Sequence, residues 1–241
     1  MGRQLDVGGT LRQIFETYGV QAGVLLPVAF CLYLPVAVVN ALVAGSLLLF
    51  PLSFAVGVVA ATLYQGMVVG LVKDVQDGRR DSSIGDLIDA TWPIVLPLIG
   101  AGLLSGLGIG IGMIFFLVPG LILLTIWAVI APVIVVERSG AIAAFGRSRE
   151  IVRGNGWRVF GVIFSVFLIV AVVGGVLSAI GVGISDTIGV RIAFSLIGST
   201  LTAPIGALAA ATIYFALVPG GGGPEAPPAP PLPPDQPAVA G

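Results

Sequence analysis

Apolar and polar positions are sorted along this chain into long blocks. Six runs are almost purely apolar, near 22–43, 47–72, 93–116, 120–136, 158–181 and 192–217, with polar or glycine-rich breaks between them. A run of roughly 18 or more apolar residues is long enough to cross a bilayer as a helix. The pattern therefore predicts an all-α membrane protein with six transmembrane helices. The breaks "AGS" (44–46), "VPG" (118–120) and "GVGISDTIGV" (181–190) are short, which predicts three tight helical hairpins. The fourth run is short and carries Pro132, which leaves it either a tilted span or a partly re-entrant one.

A second pattern precedes each hairpin. "TLRQIFETYG" gathers Leu11, Ile14, Phe15 and Tyr18 on one helical face, opposite Arg12, Gln13 and Glu16. "SIGDLIDAT" does the same with Ile84, Leu87, Ile88 and Thr91, opposite Asp86 and Asp89. "GAIAAFGRS" repeats it with Ala141, Ala144, Phe145 and Ser148, and its wet arc holds Arg147, Arg149, Glu150 and Arg153. Each stretch is too short to span, and a single apolar face suits a helix lying in the headgroup plane. Thr10 with Gln13 and Ser83 with Asp86 resemble N-terminal capping pairs. The chain thus divides into three units, each a short amphipathic interfacial helix followed by a hairpin. After the third such helix, "GNG" (154–156) offers Gly154 or Gly156 for a left-handed turn, and Trp157 and Arg158 mark the headgroup boundary.

Composition agrees: 57% of residues are hydrophobic, 10% are charged and the mean hydropathy is +1.10. A soluble domain is about a quarter charged. The net charge of −1 carries no message about partners, because the placement of charge matters more than its sum. Ten of the eleven Lys and Arg residues fall in three places: Arg3 and Arg12; Lys73, Arg79 and Arg80; and Arg138, Arg147, Arg149, Arg153 and Arg158. Arg191 alone lies at a turn on the other side. The positive-inside rule then puts both termini and both charged loops in the cytoplasm, on a multi-pass protein of the cytoplasmic (inner) membrane. The apolar run 24–40 ends in "LVAGS", faintly like a cleavage site, but its leader is long, acidic in part and helically patterned, so the run is expected to be retained. From Pro219 onward "PGGGGPEAPPAPPLPPDQPAVAG" lacks apolar mass. We expect a membrane domain over 1–218 and a disordered, polyproline-like cytoplasmic tail over 219–241. "PPAPPLPP" fits a proline-reading module, and a merely solvated tail is the simpler alternative.

Little in the chain points to catalysis. Histidine is absent, which removes the commonest metal ligand and general base, and the single Cys31 sits in an apolar run. No cofactor, metal or nucleic acid is expected. Asp74, Asp77, Asp81, Asp86 and Asp89 are interleaved with Lys73, Arg79 and Arg80, match no calcium-loop spacing, and fit a solvated loop. "GLGIGIG" lies within a membrane run with no strand before it, which excludes a dinucleotide loop. Within the spans the polar residues are Tyr33, Asn40, Tyr64, Gln65, Ser105, Ser165, Ser178, Ser195 and Thr200. No ionisable Asp, Glu, Lys or Arg falls at a bilayer centre, which counts against ion-coupled transport and leaves uniport open. Asn40 and Gln65 are candidates for interhelical hydrogen bonding, with each other or across helices.

Two sets of residues carry expectations about association. Gly102, Gly106 and Gly110, with Gly108 and Gly112, recur at four-residue spacing in the third run, and Gly66 and Gly70 do so in the second. Such spacing lets helix backbones approach closely. The stretch 138–158 uses arginine for all five of its basic residues. Guanidinium forks suit phosphate, so Arg149 and Arg153, with Arg147 at the edge, are candidate ligands for anionic lipid headgroups. Pro27, Pro35, Pro51, Pro97, Pro132 and Pro204 are candidate kinks.

The segment "FFLVPGLILLTIWAVIAPVIVVERSGAIAAFGRSREIVRGNGWRVFGVI" resembles the membrane domain of glycerophosphoryl diester phosphodiesterases, found alone in many actinobacterial proteins, and the related YciC-like integral membrane proteins. The matching elements are Pro119-Gly120, the stretch 132–137 and "AAFGRSREIVRGNGWRVFGV"; "IFETYGVQAGVLLPVAFCLYLP" and "LVKDVQDGR" fit the first two spans. The resemblance runs from about residue 10 to 218. The full enzymes of that family carry a separate soluble barrel with histidines and metal-binding carboxylates, so the resemblance does not imply their activity here. The expectation is a non-catalytic membrane protein acting through lipids or an unidentified membrane protein partner. A small-molecule or lipid permease is the alternative, and a membrane-embedded enzyme the third.

Overall fold

The structure, a computed structural model, describes residues 4–43, 46–76, 85, 91–115, 117–185 and 187–218. Eight α-helices are described: α1 (Val7–Leu42), α2 (Phe50–Gln76), α3 (Val95–Phe115), α4 (Leu117–Ile126), α5 (Ile130–Glu137), α6 (Ala141–Val152), α7 (Gly156–Ile184) and α8 (Ile188–Leu217). Short 3-10 turns, Leu47–Leu49 and Trp92–Ile94, lead into α2 and α3. Among the described residues, six segments are long and apolar enough to cross a membrane: α1, α2, α3, the α4–α5 pair, α7 and α8. The expected six spans are all present.

The ends of these helices follow local chemistry, with two departures from expectation. The cap of α1 is Asp6, whose carboxylate accepts from the Gly8 and Gly9 amides at 3.2 and 3.1 Å. Thr10, expected to cap, is instead inside the helix and donates its hydroxyl to the Asp6 carbonyl at 2.6 Å. A carboxylate answers both the free amides and the helix dipole, so the helix starts a turn earlier. The first amphipathic stretch is not a separate helix. Nothing between Gly19 and Val24 breaks it, and α1 runs for 36 residues, about 54 Å and well beyond a hydrocarbon core of about 30 Å. The second stretch, 83–91, lies outside the described residues apart from Gly85 and Thr91. The third is a separate helix, α6. The tail 219–241 and its proline motif lie outside the described residues.

Residues 118–120, expected to form the turn between α3 and α4, lie instead inside α4, which begins at Leu117. Pro119 and Gly120 belong to the first turn of α4, where proline's missing N–H costs nothing. Gly120 is buried, and a Cβ there would meet Met113, including its backbone N at 2.7 Å and Cα at 2.9 Å. Gly112 meets the Gly120 Cα at 3.0 Å in the same sense, so the two glycines let the hairpin close backbone to backbone.

The last helix forms the centre of the bundle. Residues 207–215 of α8, "ALAAATIYF", are buried throughout, and α8 packs on α1, α7 and α2. Its small alanines allow three neighbours to approach one helix. The core joins Ile14 and Leu25 (α1), Tyr64 and Val68 (α2), Leu98 (α3), Ile134 (α5) and Leu208 and Ile213 (α8). Outward-facing side chains remain apolar, as at Leu96 (81% exposed), Ile114 (82%) and Phe167 (63%), a surface suited to lipid.

Candidate functional site

The fourth span is broken. Pro132 cannot donate to the Ala128 carbonyl, and its ring crowds that turn. The regular helix ends at Ile126 and resumes at Ile130, with turn residues Trp127–Val129 between. The Ile130 amide bonds the Trp127 carbonyl at 3.3 Å, leaving the Ile126 carbonyl for another donor. Ser148 of α6, fully buried, donates to it at 2.8 Å. Phe145 packs edge-on against Trp127 at 4.9 Å between centroids. The amphipathic helix α6 is thereby docked over the break by its apolar face, and its one polar member there completes the broken ladder.

The arginine stretch is partly absorbed into the protein. Arg147 pairs with Glu137 at 3.0 Å and with Glu150 at 3.5 Å, and Glu137 also accepts from the Tyr214 hydroxyl at 3.0 Å. Hydrogen bonding to Glu137 is the main influence pushing the Arg147 guanidinium above its ordinary range. Arg158 donates to Gln4 at 2.7 Å, and the Leu5 amide donates to the Asn155 side chain at 3.3 Å, so the chain's start is tied to the α6–α7 turn. Gly154 takes the left-handed turn at φ +87°. Arg149 and Arg153 are exposed, in the last turn and at the C-cap of α6. Trp157 is 87% exposed at the start of α7.

The glycine row divides. A Cβ on Gly102 would strike Thr62 of α2, and one on Gly66 would come within 2.8 Å of Leu98. Gly106 meets Val58 and Phe54 at 3.2 and 3.3 Å, whereas Gly110 meets nothing within 4 Å. Gly70 is half-buried on α2. Gly108 faces Trp127 at 2.7 Å and Gly112 faces Gly120. One glycine face of α3 thus serves α2 and another serves α4, with Gly110 open.

Two of the cavities between the helices hold the polar residues Gln65 and Asn40. The inner one, about 420 Å³, is walled by α2, α3, α5, α7 and α8 and includes Thr62, Gln65 and Ser105. Thr62 and Ser105 spend their hydroxyls on helix carbonyls, those of Val58 at 2.7 Å and Gly102 at 3.1 Å. The Gln65 amide has no hydrogen-bond partner among the described residues. Walls α3 and α7 are not closely packed on each other, and the cavity is partly open. The outer cavity, about 690 Å³, lies between α1 and the α7–α8 hairpin and includes Asn40, Ser178 and Arg191. Asn40 and Gln65 therefore line different cavities. Val170 lines both. No group of three His, Cys, Asp or Glu residues is placed to hold a metal among the described residues.

Sequence reasoning missed Glu137 and Tyr214 and the roles of Gly120 and Ser148. Ser148 left a signal as a hydroxyl on an otherwise apolar helix face, and Gly120 as part of a Pro-Gly pair.

No family model matches the chain, and no solved structure matches it. A UPF0259 membrane protein of Pectobacterium carotovorum subsp. carotovorum (strain PC1) is 39% identical over 98 residues, 40% of this chain. The chain spans 38% of that relative's length. The match supports a membrane-protein relationship and does not carry the phosphodiesterase membrane-domain label expected from the sequence. Six apolar spans and a membrane-protein relative together make this chain an integral, multi-pass membrane protein.

Proposed function

We propose that this protein is a non-catalytic component of the cytoplasmic membrane that works by holding lipid between its helices. The observation that carries the reading is the inner cavity, with its mainly apolar walls and the unpartnered Gln65 amide. Gln65 lies about 12 Å along α2 from Lys73, inside the hydrocarbon zone. An unsatisfied amide there is costly unless a ligand or water answers it. A volume of about 420 Å³ falls within the range of ligand sites, roughly 300–1,000 Å³. The lack of histidine in the sequence and the resemblance to a phosphodiesterase membrane domain support a non-catalytic role. The distribution of Lys and Arg supports cytoplasmic termini. Exposed Arg149 and Arg153 are proposed to hold anionic headgroups at that leaflet, with Arg147 held back by its acidic neighbours. An unidentified membrane protein partner would meet the exposed apolar faces.

Native mass spectrometry in mild detergent tests the reading. The parent is expected to retain phospholipid, and Gln65→Leu to lose most of it with an unchanged melting temperature. Equal retention by parent and variant sinks the proposal.

A second reading, a lipid or small-molecule permease, is favoured by Val170, the side chain common to the inner and outer cavities. In vesicles carrying a fluorescent phospholipid, Val170→Gly should then speed and Val170→Trp slow its movement between leaflets. Identical rates for parent and both variants remove the pathway.

A further inference from the structure

The outer cavity carries a chemistry that a lipid-facing crevice does not need. On α8 it is lined by Arg191, Ser195, Ser199 and Thr202, positions that share one helical face through three turns. That face runs about 16 Å from the start of α8 toward the bilayer centre. The opposite wall adds Asn40 from α1 and Ser178 from α7. Thr202 gives its hydroxyl to the Gly198 carbonyl at 2.8 Å. Among the described residues, Asn40, Ser178, Arg191, Ser195 and Ser199 have no hydrogen-bond or ion-pair partner. The hairpin is clamped beside the cavity by Gly181, where a Cβ would stand 2.9 Å from the Phe194 ring. The polar groups are therefore displayed from a braced wall.

On the threading expected from the sequence, Arg191 is also the one basic residue opposite the other ten, where it weakens the charge bias that orients the chain. A guanidinium retained there, beside four unpartnered neutral groups, suits an anion with several acceptor oxygens. We propose that the outer cavity binds a phosphate-bearing anion, with Arg191 as its cation and Asn40, Ser178, Ser195 and Ser199 as its neutral hydrogen-bonding groups. An anionic phospholipid of that leaflet and a free phosphate in the medium share this chemistry. The site shares Val170 alone with the inner cavity and does not depend on lipid binding at Gln65.

The test uses the full chain, delipidated in neutral detergent, with native mass spectrometry against phosphatidylglycerol and phosphatidylcholine of matched chains. Melting temperature with inorganic phosphate is measured in parallel. The variants are Arg191→Gln, Arg191→Lys and Ser195→Ala/Ser199→Ala, with Arg149→Gln/Arg153→Gln controlling for the opposite end. The preference for phosphatidylglycerol should fall about tenfold in Arg191→Gln, the size of one charge-assisted interaction. It should fall less in Arg191→Lys and in the serine variant, and the control should keep an Arg191-dependent preference. If phosphate alone raises the melting temperature of the parent but not of Arg191→Gln, the ligand is the free anion. A response to phosphatidylglycerol only assigns a lipid headgroup. Arg191→Gln and the serine variant both matching the parent, with no response to phosphate, overturns the site. Should Arg191→Gln fail to fold, Arg191→Lys and the serine variant decide by the same criteria.

Discussion

Gly102 and Gly110 sit on the same helix in the same sequence row, and the structure gives them opposite surroundings. Gly102→Ala places a methyl against Thr62, whose Cβ and Cγ2 would each be 3.0 Å away and whose Oγ1 would be closer still. Thr62 is 8% exposed and its hydroxyl is bound to the Val58 carbonyl at 2.7 Å. It therefore turns aside only by giving up that bond. Gly110→Ala meets nothing within 4 Å. Both variants gain the same helix propensity, about 1 kcal/mol over glycine, so their difference isolates the clash. Overpacking of this kind costs about 1–3 kcal/mol. At about 2–4 °C per kcal/mol for a chain of this size, Gly102→Ala should melt several degrees below Gly110→Ala. Fluorescence-detected size-exclusion chromatography after heating measures this in detergent. Thr62→Ala should restore part of the loss, with a coupling of roughly 0.5–3 kcal/mol in the double-mutant cycle. Equal melting of the two alanine variants, or zero coupling to Thr62, would refute the close approach of α2 and α3.

The remaining predictions concern the polar end of the bundle. Ser148→Ala removes the donor to the half-buried Ile126 carbonyl and should cost about 0.5–1.5 kcal/mol; hydrogen exchange at 127–130 should speed up, and unchanged exchange would deny Ser148 its role at the break. Replacing Arg147, Arg149 and Arg153 with lysine should change stability by less than about 1 kcal/mol, since the Arg147–Glu137 pair is partly exposed. Anionic lipid retention should nevertheless fall; retention equal to the parent across a range of salt leaves these arginines a role in orientation only. In a Cys31→Ala background, single cysteines at Ser46 and Asp186 should label from outside the cell and one at Ser82 should not. Outside labelling at Ser82 would overturn the threading.

Six spans, their pairing in hairpins and the separate amphipathic helix α6 were legible in the sequence, because each depends on local hydropathy. So was a left-handed turn within 154–156, though the choice of Gly154 over Gly156 came from the structure. The start of α1 after Asp6, the place of 118–120 inside α4 and the pairing of Arg147 with Glu137 were decided by neighbours distant in sequence or by competition between nearby capping groups. The glycines show the division most clearly. Spacing put Gly102, Gly106 and Gly110 on one face, yet only the position of α2 made two of them contacts and left the third open. The two cavities were equally hidden, since Gln65 and Arg191 gain meaning only from which helices stand opposite. Inside a membrane, lipid and a neighbouring helix are nearly equally apolar, so hydropathy drives a segment into the bilayer but does not choose its protein-facing side. That choice falls to shape and to unpaired polar groups, which exist only once the helices have met.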